Sequence, residues 1–171
     1  PFDKHGARYA AAGIPFYVCP GTSTWNSVAG RTENALENMR NAARNGTKHG
    51  AIGYLLTDWG DNGHWQPYAA SLVPFLFGAG CAWNHVAADD APLHQLADLH
   101  LFADGAGVLG GVALELGKVD LLTGEYIPNN AVLFVTMQMA AARFRERVGE
   151  AGKAQEMSHG LELARGRALY L

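Results

Sequence analysis

Ala51-Ile52-Gly53-Tyr54-Leu55-Leu56-Thr57 runs directly into Asp58-Trp59-Gly60-Asp61-Asn62-Gly63-His64-Trp65, and the fold turns on how that junction is read. The first segment is an almost unbroken apolar run, the pattern of a strand buried on both faces. The second gathers two carboxylates, two indoles, an amide and an imidazole beside glycines. Open α/β sheets and barrels keep their chemistry at the carboxyl ends of parallel strands, so the junction marks a ligand site at a strand end.

Upstream, Ile14-Pro15-Phe16-Tyr17-Val18-Cys19 is a second apolar run, closed by Pro20-Gly21, and reads as an earlier strand. Between the two strands, Ala35, Leu36, Met39, Ala42 and Ala43 recur at helical spacing from Thr32 onward. Glu33 and Glu37 lie early in that helix, Arg40 and Arg44 late, and Gly46 is placed as its stop. Strand, helix and strand make a βαβ unit, which predicts parallel strands joined by a right-handed crossover. The loop after the first strand, Thr22-Ser23-Thr24-Trp25-Asn26-Ser27, then lies at the same end as the Trp-Gly-Asp segment. After Thr57 the pattern is helical over 68–83, 92–102, 107–122 and 130–147, and the tail 150–171 fits a further helix loosely.

Two parallel strands cannot stand as a sheet by themselves, because both edges would keep unpaired backbone groups. A closed (β/α)8 barrel takes about 250 residues. This chain of 171 reads as the last two βα units of such a TIM-type barrel (residues 1–88), followed by a helical carboxyl-terminal extension (89–171). The opening Pro1-Phe2-Asp3-Lys4-His5 lacks an initiator methionine, a basic region and an apolar region. Upstream sequence is therefore expected, and the compartment is left open.

With 49% hydrophobic residues the chain can bury one sizeable core, while a formal net charge of −3 offers no attraction for nucleic acid or an anionic membrane. No apolar stretch reaches the roughly 20 residues of a membrane span. Cys19 and Cys81 lack CxxC spacing and read as buried free thiols. His49, His85, His94 and His100, with Asp89 and Asp90, raise the idea of a metal centre. None shows HExxH or His-x3-His spacing, so no metal and no other cofactor is expected. Gly105-Ala106-Gly107-Val108-Leu109-Gly110-Gly111 imitates a phosphate loop, but no strand precedes it, and tight helix packing explains it better. Arg143-Phe144-Arg145-Glu146-Arg147 reads as a solvated helix end.

What the strand-end residues suit is a neutral polyhydroxylated ligand. Indole faces cover the C–H face of a sugar and carboxylates accept its hydroxyl protons. Trp59 and Asp61 lead this reading, against a tryptophan that merely fills the barrel top and an aspartate that caps the Asn62-Gly63 turn. Asp58 is either a second sugar ligand or a strand-end group paired to a neighbouring loop. His64 and Trp65 either extend the pocket or sit at the surface, and for Trp25 core packing competes with ligand stacking.

Taken together, Thr57-Asp58-Trp59-Gly60-Asp61 and the run from Pro15 to Asn26 resemble the carboxyl-terminal part of a family 20 glycoside hydrolase, a β-N-acetylhexosaminidase. The resemblance spans about the first half of the chain. It implies that Trp59 walls the sugar pocket, that Asp61 accepts bonds from the outer hydroxyls, and that Trp25 faces the acetamido pocket. The family's His-x-Gly-Gly-Asp-Glu motif and early arginine have no counterpart here, so no catalytic residue is assigned. In that family the substrate's acetamido oxygen attacks the anomeric carbon while a Glu protonates the leaving oxygen. The implied role is a fragment of an exo-acting enzyme that removes terminal β-linked N-acetylhexosamine, inactive alone. Its partners would be an N-acetylhexosamine-containing glycan and the missing amino-terminal part of the barrel, with the helices able to form a homo-oligomer contact. The rival readings are a non-catalytic glycan-binding or subunit-interaction module, and a metal-dependent hydrolase using Asp58, Asp61 and His64.

Overall fold

The apolar stripe read between the two strands forms one face of helix α2 (Thr32–His49), where Ala35, Leu36, Met39, Ala42 and Ala43 are all buried. The computed structural model describes residues 1–138. The helix does not stop at Gly46. A β-carbon there would lie 3.0 Å from a Val18 methyl, so Gly46 is a point of close approach to the sheet. The stop is Gly50, whose φ of 71° and ψ of 37° give the left-handed cap that glycine adopts at no steric cost.

Strands β1 (Tyr17–Val18) and β2 (Gly53–Tyr54) are parallel, with Tyr17 opposite Gly53 and Val18 opposite Tyr54. Both are shorter than the apolar runs that contain them. The pairing nevertheless continues beyond them: the amide of Ile52 donates to the Phe16 carbonyl, that of Leu55 to Val18 and that of Thr57 to Pro20, each at 2.9 Å. An isolated bridge joins Gly21 to Thr57. Among the described residues these two strands form a sheet with no third member.

One face of that sheet is covered. Tyr54 and Leu56 pack against a core cluster of Ala35, Leu36, Met39 and Ala43 from α2 with Phe77, Cys81 and Ala88 from α3 (Ala69–Asp89). The contact is close, since a β-carbon on Gly78 would stand 2.5 Å from Leu56 Cδ2. On the other face Tyr17 is 57% exposed and Leu55 54%. Cys19 shares that parity and is exposed, which corrects the expectation of two buried thiols. Cys81 is buried, and desolvation pushes its thiol up to about 11.

Helix α3 passes the expected end at Trp83. Asn84 breaks it with φ −155° and ψ 94°, and its Oδ1 accepts the Ala87 amide at 3.2 Å, restarting the chain for one more turn. A helix not anticipated from sequence, α1 (Phe2–Ala11), docks on the end of α2. Gly6 lies under His49, and Asp3 Oδ1 accepts from Lys48 Nζ at 2.8 Å and pairs with His49 Nε2 at 2.7 Å.

The Lys48 bond, then the His49 bond, lower Asp3 from 3.8 to about 2. A depressed carboxylate stabilises the folded state above its unfolded value and loses that contribution as pH falls through the folded one. The docking of α1 is therefore expected to be intact above about pH 4 and to weaken towards pH 2. In Asp3→Asn, amide hydrogen exchange in α1 should be faster at neutral pH and lose this acid dependence. Unchanged protection would show that Tyr9 stacking on Phe16, with ring centroids 5.5 Å apart, holds the helix alone.

The chain continues through α4 (Leu93–Ala97), a π-helical turn (Asp98–Phe102), α5 (Leu109–Leu116), a 3-10 turn (Val119–Thr123) and α6 (Val132–Gln138). The glycine-rich stretch before α5 is packing geometry. A β-carbon on Gly110 would fall 2.1 Å from the His94 carbonyl oxygen, and buried Asp98 accepts the Gly110 amide at 2.6 Å. The basic run 143–147 and the tail 150–171 lie outside the described residues. Among the described residues no helix is long and apolar enough to cross a membrane.

Candidate functional site

Beyond the Gly21–Thr57 bridge, two loops leave the strand ends side by side, and a third segment, 127–131, joins them. Hydrogen bonds tie the three together. Asn62 Nδ2 donates to Asn26 Oδ1 at 2.8 Å, Ala131 N to the Asn26 carbonyl at 2.9 Å, and Trp25 Nε1 to Asn129 Oδ1 at 2.9 Å. Ser23, Asn26, Asn62, His64 and Asn129 all have φ between 52° and 62°. Such left-handed non-glycine residues cost free energy and gather where a site demands an unusual backbone.

The two carboxylates of the Asp-Trp-Gly-Asp segment meet different fates. Asp58 Oδ1 accepts hydroxyls from Thr22, from Thr24 at 2.9 Å and from Ser71 of α3 at 3.0 Å. All three donors are buried, at 0%, 0% and 1% exposure. Oδ1 of Asp58 is thus bonded to the neighbouring loop, as a strand-end group would be. The hydroxyl-rich Thr22-Ser23-Thr24 run serves this carboxylate. Asp61, in a 3-10 turn (Asp61–Gly63), is half-buried, and among the described residues it takes part in no hydrogen bond or ion pair.

Trp59, two positions earlier in the chain, is 55% exposed. Its indole N–H donates to Thr57 Oγ1 at 3.0 Å, and its carbonyl accepts from buried Gln66 Nε2 at 2.9 Å, so the ring is fixed while still open to solvent. Trp25 approaches the same strand ends, with Cη2 2.6 Å from where a Gly21 β-carbon would be. His64 folds back over Gly60, its Nδ1 2.3 Å from the corresponding β-carbon position, and is exposed. Trp65 meets Phe134 edge-on at 5.5 Å.

Sequence reasoning missed a second group of polar residues. The Arg31 guanidinium lies 5.1 Å from the centre of the Trp25 ring, and its Nε donates to the Ser23 carbonyl at 3.0 Å. Arg31 Nη2 is buried without a hydrogen-bond partner. With Asn34, Asp120, Tyr126, Ile127 and Asn130 it lines a small, solvent-open cleft of about 60 Å³. Burial lowers Arg31, opposed by the charges of Asp120 and Tyr126. Burial also raises Asp120, opposed by the Leu133 and Val132 amides and by Arg31. The one sequence signal for this group was an arginine set between Gly30 and the helix start at Thr32.

Asp58, Asp61 and His64 do not assemble as ligands, and among the described residues no three His, Cys, Asp or Glu side chains form a group that could hold a metal ion. No family model matches the chain, and no curated protein or solved structure matches it significantly.

Proposed function

We propose that this chain contributes part of the sugar-binding wall of an exo-acting β-N-acetylhexosaminidase-like barrel, with Trp59 stacking on the terminal sugar and Asp61 accepting its outer hydroxyls. The observation that carries the reading is that the half-buried Asp61 bonds to no described residue and follows, two positions on, the fixed and exposed ring of Trp59. A carboxylate drawn out of bulk water needs donors, and sugar hydroxyls are donors. Asp58 Oδ1 already collects three hydroxyls of its own fold, whereas neither oxygen of Asp61 bonds to a described residue.

The bare face of the sheet supports the barrel part of the proposal, because parallel sheets are covered on both sides. Tyr17, Cys19 and Leu55 would then point to the barrel interior, and the remaining strands would supply the acid that protonates the leaving oxygen. This chain would bind and orient the terminal sugar.

Calorimetric titration of the full chain with N-acetylglucosamine tests the reading. Binding should be saturable, and Trp59→Ala should weaken it about tenfold, the loss of roughly 1.4 kcal/mol of ring contact. Equal affinity in the wild type and this variant would refute the assigned role of the indole.

A further inference from the structure

Helix α3 is apolar on two opposite sides. The inner side carries Phe77 and Cys81 into the core cluster with α2 and the sheet. On the outer side, at successive helical turns, lie Leu72, Phe75, Ala79 and Trp83, of which Ala79 and Trp83 are exposed and the other two half-buried. Tyr68 closes this stripe at one end, 63% exposed and with its ring 6.2 Å from that of Phe75, while Trp83 stands at the other, 91% exposed. Between Ala69 and Ala88 the sequence has no Asp, Glu, Lys or Arg. A surface helix is apolar along one stripe only, and a helix apolar all round is one that is covered on both sides.

We propose that the outer face of α3 is the contact between two copies of this chain, related by a two-fold axis near Ala79. Such an axis makes the stripe meet itself antiparallel: Trp83 of each protomer lies over Phe75 of its partner, and the small Ala79 lets the two helices approach. The area is sufficient. Tyr68 and Trp83 alone expose roughly 350 Å². The rest of the stripe brings the total to about 600 Å² per copy, the low end for a specific interface and the upper limit of what a monomer leaves open. A second copy also fits better than other occupants. The stripe offers no charge to an ionic partner, and it lacks the Lys and Arg that hold an interfacial helix at anionic lipid. A net charge of −3 sets little repulsion between copies. Strands completing a barrel would join the sheet, on the other side of α3, and a barrel's ring of helices keeps its outer faces outside. The contact does not depend on the sugar site.

Sedimentation velocity of the full chain over a range of concentrations tests the contact. The wild type should form a dimer with a Kd on the order of 10 μM, weak because the interface is small. Trp83→Glu should raise that Kd at least about 30-fold, as the loss of a central aromatic anchor does. The position is so exposed that the variant should fold, and an unchanged circular dichroism spectrum checks this. Leu55→Glu, on the bare face of the sheet, should leave the dimer intact, which separates this contact from pairing through the strands. On the Cys19→Ser background, Ala79→Cys should give a disulfide-linked dimer on mild oxidation, because the axis brings that position next to its own copy. Tyr126→Cys, 80% exposed away from α3, should not. A monomer at every concentration, a dimer that survives Trp83→Glu, or a dimer lost in Leu55→Glu would overturn the proposal.

Discussion

Asp58→Ala is expected to lower the stability of the chain by about 3 kcal/mol. The carboxylate collects the hydroxyls of Thr22, Thr24 and Ser71, which come from the first loop and from α3, so it pins the loop to the helix across the strand ends. Each buried hydroxyl left without its acceptor costs roughly 1–3 kcal/mol. The low end applies here, because Thr24 Oγ1 also lies 3.1 Å from Thr22 Oγ1 and 3.0 Å from Ser71 Oγ and the three can bond among themselves. Asp58→Asn keeps an acceptor oxygen in place and should cost less than half as much. Urea unfolding of both variants measures the difference. A loss under about 1 kcal/mol in Asp58→Ala would mean that the hydroxyls form a network that does not need the carboxylate.

Asp61→Asn should do the opposite, weakening N-acetylglucosamine binding roughly 10- to 100-fold with no change in unfolding midpoint. A hydrogen bond to a charged acceptor contributes about 1.5–3 kcal/mol, and every 1.4 kcal/mol is a factor of ten in affinity. Stability is spared because no described residue bonds to this carboxylate. The pair of variants separates two neighbouring acids by what each holds: Asp58 holds the protein together, Asp61 faces outward. If Asp61→Asn destabilised the chain as much as Asp58→Ala, Asp61 would be a structural cap and the sugar reading would lose its support.

Sequence periodicity located α2 and the two strands because their apolar residues obey local geometry. It misplaced the end of α2 because two glycines, Gly46 and Gly50, look alike in the sequence. Only the packing of Val18 against the first and the positive φ of the second tell them apart. Helix α1 was missed for a related reason: its anchor is tertiary, an aspartate bonded to Lys48 and His49 some 45 residues later. That the two loops meet at the strand ends was legible, but not what each of their acids bonds to. Which of two acids takes the loop hydroxyls depends on Ser71, brought in by α3, and no local spacing encodes that. Arg31, Asp120 and Asn129 escaped notice because they meet only through the fold, at separations of up to 104 residues in the Trp25–Asn129 bond.

The uncovered side of the sheet joins the structural and functional parts of the account. Tyr17 and Leu55 would gain several kcal/mol from burial at about 25 cal/mol per Å², which is a reason for the chain to act beside further strands.

The most direct test follows the indole N–H resonance of Trp59 in the nitrogen-15-labelled full chain during titration with N-acetylglucosamine. Its bond to Thr57 Oγ1 at 3.0 Å should give it a distinct shift, and Trp83, 91% exposed on α3, serves as the internal control. The account predicts a saturable movement of the Trp59 signal, displaced to roughly 10- to 100-fold higher sugar concentration in Asp61→Asn and absent at Trp83. A Trp59 resonance that stays fixed at sugar concentrations where calorimetry detects binding would contradict it.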